Sequence, residues 1–186
     1  MDTTPYFLIA MPQLTDPNFA QTVVLIFNAS KEGVLGLILN RPAAASLKQM
    51  MIPDISIDPA LHASSVWYGG PVEPNRIWLL HETQEPSPSD SMPISDDICL
   101  GAAFRLLDAN AGESRLQPEA FKLFSGYAAW QPGQLEQEIQ LASWLTAPVD
   151  PRLLLKTPPE KVWAEAVRGL GIDPSQLATE TSSSIQ

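Results

Sequence analysis

Cysteine occurs once, histidine twice and basic residues only 11 times in this chain of 186 residues, and each scarcity removes a class of protein. Cys99 alone cannot form an intrachain disulfide, so a packed core must hold the fold, and a reducing, cytoplasmic setting is expected. His62 and His81 lie far apart with no ligand-like spacing to Cys99, so no metal is expected. Basic residues number 11 against 21 acidic ones, a net charge of −10 with no basic arm. Phosphate backbones are held by clustered Lys and Arg, and the densest basic stretch, Arg152, Lys156, Lys161 and Arg168, is too thin for that. Direct nucleic-acid binding is therefore not expected. Long apolar runs are missing as well: the longest proline-free stretches, 18–41 and 94–117, are 24 residues each and carry charges, so no membrane span is expected. No basic leader precedes the first apolar run. Glycine-rich phosphate loops, HExxH and CxxC do not occur, and Phe124-Ser125-Gly126 lacks the glycine that would open a nucleophile elbow. These absences predict no cofactor and no recognisable catalytic residue.

Proline is abundant instead, 18 residues or roughly twice the usual ~5%. Because proline breaks helix interiors and strand ladders alike, the elements must be short. Strands are expected at 6–10, 22–28, 34–40, 66–68, 76–81, 121–127 and 152–156. The second and third read as a hairpin around the turn 29–33, with Gly36 marking a bulge or close backbone approach. Asp16 caps a short turn with Pro17 at its first position. Short helices are expected at 46–51, 102–109 and after Pro132-Gly133, where Leu135, Ile139 and Ala142 share a face. A last helix, capped by Thr157 and ended by Gly171, buries Val162, Trp163, Ala166, Val167 and Leu170. Residues 82–92 (ETQEPSPSDSM) read as an exposed, mobile loop and 94–98 as a tight hairpin. The whole is an α+β chain, one compact domain over 1–177, with 178–186 a disordered tail.

Residues able to carry function each have a plainer role beside it. Arg41, between Asn40 and Pro42 at a strand end, can hold an anion, but pairing with Asp16 or capping carbonyls is favoured. Gly69-Gly70 can admit a ligand to the backbone; a tight turn is favoured. Trp130 and Trp144 can stack on a partner; a core role is favoured. Gly133 and Gln134 offer free N–H groups at a helix start, which the nearby Glu136 makes unwelcoming to anions. His81 beside Glu82 is a conceivable acid/base pair, and a surface histidine is favoured. Cys99, between Ile98 and Leu100, reads as a buried, inert thiol.

Five collinear segments, FLIAMPQLTDPNF (7–19), GVLGLILNRP (33–42), YGGPV (68–72), GYAAWQPGQLEQEIQLASWL (126–145) and APVD (147–150), resemble the bacterial YqgE/AlgH family over residues 6–172. The resemblance implies a compact fold with a curled, partly barrel-like mixed sheet flanked by short helices. It also implies a transcription-linked regulator by the label one branch carries. It supplies no catalytic residues, so Asp16, Asn40, Arg41, Gly69, Gly70, Trp130, Gly133 and Glu136 are candidates for a ligand or partner patch as positions inside the matching motifs. The chain departs from the pattern at Ala129, where glycine is frequent, and in its proline-rich segment 86–93. The leading expectation is a cytoplasmic regulatory or adaptor protein that binds a protein partner or small ligand without chemistry of its own. The alternatives are an enzyme of unrecognised type near Arg41 and Gly69-Gly70, and a direct DNA-binding regulator, which the charge disfavours.

Overall fold

The computed structural model describes residues 5–84, 89–102, 104–110 and 116–180. Strands β1 (Tyr6–Ala10), β2 (Val23–Ser30) and β3 (Gly33–Ile38) form from runs rich in Val, Ile and Leu, and β2 and β3 close a hairpin over Lys31-Glu32. The register of that hairpin shifts between Ile26 and Asn28, opposite Gly36, which is the bulge its glycine foretells. Both faces of these strands are buried, which explains why their sequences show no apolar/polar alternation. One face, with Phe7, Ile9, Leu25 and Leu37, packs on helices α2 (Pro151–Leu155) and α3 (Pro159–Gly169) through Leu153, Leu154, Val162 and Val167. The other, with Leu8, Val24, Ile26 and Ile38, packs on Trp130, Trp144 and Leu135 of helix α1 (Gln134–Gln140).

Strand β10 (Trp144–Pro148) covers the outer edge of β1, antiparallel from Tyr6↔Pro148 to Ala10↔Trp144. On the far side, β3 pairs with β9 (Phe121–Trp130), which leads on to β6 (Val72–Glu82), β8 (Ile98–Gly101) and β7 (Ser91–Pro93). The short pair β4 (Pro42–Ser46) and β5 (Ser65–Tyr68) attaches through a parallel contact of β5 with β9. A second core, with Leu47, Leu61, Val66, Leu79, Leu107 and Phe121, lies under this part. The result is one curled sheet with short helices around it, the α+β build that the sequence implies.

Both β3 and β5 use the same edge of β9, one after the other, and the chain forks at Gly126. Here φ of Gly126 is 73° and φ of Gly70 is 150°. A Cβ on Gly69 would collide with the Gly126 carbonyl, and one on Gly70 with the Tyr127 backbone. The YGGP segment is glycine because one backbone lies directly on another there, and the Gly69 N–H donates to the Ser125 carbonyl at 2.9 Å.

Several sequence expectations change. Of residues 152–156, expected as a strand, 152–155 belong to α2 and Lys156 is its C-cap: Asp150 accepts from the Arg152 N–H at 3.0 Å as the N-cap, and Pro151 holds the first position. Thr157 does not cap α3; its hydroxyl donates to the Arg152 carbonyl at 2.9 Å, and Pro158 stands at the cap position. The helix expected at 102–109 is only a 3₁₀ turn, Phe104–Leu107, because the backbone beyond it bridges to Ile57. Within the expected loop 82–92, Glu82 ends β6 and Ser91 starts β7, while 85–88 lie outside the described residues. Helix α4 (Pro174–Glu180) extends into the expected tail, of which 181–186 lie outside the described residues. Strands β4, β8 and β10 lie outside the expected strands.

Candidate functional site

The turn 16–22 is built by local capping and then fastened by side chains from the β3–β4 connection. Asp16 accepts from the Asn18 N–H at 2.8 Å. Asn40 accepts from the Val23 N–H at 3.1 Å and donates to the Gln21 carbonyl at 2.9 Å, while Gln21 holds a left-handed φ of 54°. Arg41 donates through Nη2 to the Ala20 carbonyl at 2.7 Å and to the Pro17 carbonyl at 3.4 Å. The Tyr68 hydroxyl donates to Asn18 Oδ1 at 3.0 Å; burial, reinforced by Asp16, raises its pKa. Arg41 thus does what its plainer reading expected, capping carbonyls. Asn40 and Arg41, with Pro42, form one wall of a cleft of about 680 Å³ whose other walls are Ala20, Gln21, Pro159, Glu160 and Trp163.

Trp130 and Trp144 are core residues, 4% and 3% exposed, set edge to face at 6.0 Å with Phe19 against both. Both indole N–H groups donate to one oxygen of Glu138, at 2.9 and 2.8 Å, and Gln134 donates to its other oxygen at 2.9 Å. Gly133, the N-cap of α1, and Glu136 in its first turn are exposed and form no part of the Arg41 cleft. Of the eight candidate residues, Asp16, Asn40 and Arg41 gather around one turn. Gly69 and Gly70 stand at the fork, next to them through the Tyr68 N–H to Arg41 carbonyl bond of 2.8 Å. Trp130 touches the group through Phe19.

His81 corrects its sequence reading, for it is fully buried. The Glu82 carbonyl lies 2.8 Å from its Nδ1 and can only accept, so Nδ1 carries the proton and Nε2 accepts from the Ser91 hydroxyl at 3.0 Å. Burial lowers its pKa despite the Glu82 carbonyl and Asp90. The strand β7 that covers it comes from the segment expected to be loop. Cys99 is buried as expected.

Sequence reasoning missed Lys122. It is 4% exposed, its amine has no hydrogen-bond partner among the described residues, and the Trp67 ring centre lies 4.2 Å from Nζ. Burial pushes its pKa down to about 8. The signal was present in FKLFSGYAAW: apolar residues at both alternating sets of positions mark a strand buried on both faces, and a lysine within it has nowhere to be but inside. Among the described residues no group of three or more His, Cys, Asp or Glu is placed to hold a metal ion. No helix among them is long and apolar enough to cross a membrane.

The fold and its patch define a mixed α/β protein with one curled sheet and, among the described residues, four short α-helices, whose matching motifs largely organise turns and backbone crossings. The chain belongs to the AlgH-like family (DUF179), whose model matches residues 7–175. It is 39% identical over 183 residues to a UPF0301 protein of Nitrosospira multiformis, covering 97% of this chain and 96% of that one. A UPF0301 protein of Vibrio cholerae is 35% identical over 187 residues, covering 97% and 98%. The solution structure of the AlgH protein from Pseudomonas aeruginosa matches with a TM-score of 0.73 and 33% identity, covering 95% of this chain and 93% of that one. The crystal structure of protein DIP2367 from Corynebacterium diphtheriae shares the fold with a TM-score of 0.71 at 23% identity, covering 95% and 89%.

Proposed function

We propose that the protein works by binding, as a regulatory or adaptor protein without chemistry of its own, and that the cleft beside Arg41 receives a protein partner or small ligand. The observation that supports this is the way Asn40 and Arg41 are held: their polar atoms fix the backbone of the turn 16–22 and thereby shape one wall of an open cleft. Groups engaged in that way build a surface; proton transfer needs a group free to exchange its proton with substrate. The opposite wall offers the Glu160 carboxylate beside the Trp163 ring, which suits a polar segment with an apolar side chain.

Capture of partners from cytosol with the full chain, compared with a Glu160→Arg variant, tests the reading. Glu160 is exposed, so the fold survives its replacement. A partner retained by the parent chain and lost by the variant is the expected result. Failure to capture any partner, together with no thermal shift across a metabolite panel, overturns it. Turnover in a broad hydrolase screen that vanishes in folded Arg41→Ala would establish the enzyme alternative instead, and tight, salt-sensitive DNA binding in a gel shift would establish the third.

A further inference from the structure

Lys122 is the buried charge that the Arg41 cleft does not use. It sits on β9 opposite Leu80 of β6, on the face it shares with Phe124 and Trp67. An ammonium has three donors and no acceptor capacity. The Trp67 face answers part of that charge, and no oxygen among the described residues answers the rest. The one carboxylate that β6 offers at this end, on Glu82, is held by Lys156 at 3.4 Å.

Lys122 also lines a cavity of about 280 Å³ together with Trp67, Phe121, Leu155, Ser65 and Glu119. None of these residues belongs to the Arg41 cleft. The volume suits a small molecule rather than a nucleotide, since pockets for drug-sized ligands run from about 300 to 1,000 Å³. Its walls combine rings and an aliphatic side chain with one buried cation, and its open rim carries Ser64, Ser65 and Glu119. Glu119 is exposed, and its carboxylate penalises a ligand of high negative charge. The lysine stem has four rotatable bonds, so its outer part can turn the amine from the ring face toward the cavity.

We infer that this cavity is a ligand site for a small monocarboxylate with an apolar body, with the Lys122 ammonium pairing the carboxylate and Trp67 flanking it. A carboxylate there accepts the donors that now lack a partner, and charge-assisted hydrogen bonds of this kind are the stronger ones. The apolar body displaces water from Phe121 and Leu155.

The test titrates butyrate, benzoate and inorganic phosphate into the full chain, followed by calorimetry and by the NMR signals of the Lys122 side-chain CH₂ next to the amine. Saturable binding of a carboxylate, with the Lys122 signal moving in step, is expected. Affinity should fall about tenfold or more in Lys122→Met, which keeps the stem and removes the charge. A second variant, Ala63→Trp, replaces a small exposed wall residue and should block binding while leaving the Lys122 amine in place. The inference is overturned if neither carboxylate binds, if Lys122→Met binds equally well, or if the Lys122 signal stays still during binding. Phosphate binding as tightly as the carboxylates overturns the assignment of ligand class. None of these outcomes depends on a partner at the Arg41 cleft.

Discussion

On one side of the molecule Glu138 meets the edges of two indoles, and on another Lys122 meets the face of a third. Both arrangements follow the aromatic quadrupole, which is positive at the rim and negative over the ring. They differ in completeness. Glu138 receives both indole N–H groups and the Gln134 amide, so each donor there is matched by an acceptor. Lys122 has a ring and nothing more among the described residues. A satisfied buried charge locks a structure together, whereas an unsatisfied one raises its energy and leaves a demand that something else can meet. The Glu138 cluster is accordingly fold, and the Lys122 cavity is the place to look for a ligand.

Replacements at these two positions should have opposite signs. The largest effect is expected for Glu138→Ala, which strands two indole donors and should destabilise the chain by about 3 kcal/mol in denaturant unfolding. If it costs less than about 1 kcal/mol, the clamp is not what holds Trp130 against Trp144. Lys122→Met should stabilise the ligand-free chain by about 2 kcal/mol at pH 7, because it removes a charge whose burial lowers its pKa to about 8. A destabilised Lys122→Met chain would mean the cation–π contact outweighs desolvation.

That stabilisation should also depend on pH. The amine ionises near 10.4 in the unfolded chain and about 8 in the folded one. Below pH 8 both states hold the proton and the full penalty applies to the parent chain. Between about 8 and 10.4 the folded state has released it and the unfolded state has not, so the parent chain gains on Lys122→Met until the gap closes. Paired unfolding curves at pH 7, 9 and 10 check this, and a constant gap would contradict it. The smallest effect is expected for Trp67→Phe, which weakens the ring face under the amine and should cost about 1 kcal/mol while lowering the lysine pKa further, readable by NMR titration.

The sequence was most legible where neighbours in the chain decide the outcome. The runs at 6–10, 22–28 and 34–40 became β1, β2 and β3, and Gly171 ends α3 with a φ of 76°. It misled where apolar runs are too short to carry a period. Leu153, Leu154 and Leu155 fit a strand as well as a helix, and the deciding signal was the Asp150-Pro151 start. It was silent where distant segments decide. His81 looks like a surface residue until β7 folds over it, and Trp144–Pro148 becomes a strand only because β1 offers an edge. Arg41 and Asn40 could be placed at a strand end from sequence, but their hold on carbonyls twenty residues earlier depends on the turn they fasten.

Pairing of Tyr6 with Pro148 joins almost the first described residue to one near the end of the sheet, and the Trp163 indole seals the join by donating to the Ala10 carbonyl at 2.8 Å. During synthesis β1 therefore leaves the ribosome long before its outer neighbour exists. Until Trp144–Pro148 emerges, the nascent chain carries an uncovered row of N–H and C=O groups flanked by the side chains of YFLIA, open to pairing with other chains. High sequence separation of this kind also slows folding, since the longest loop closes last. The last quarter of the chain thus acts as the latch of the fold, and a truncation before Trp144 should leave an aggregating product rather than a smaller domain.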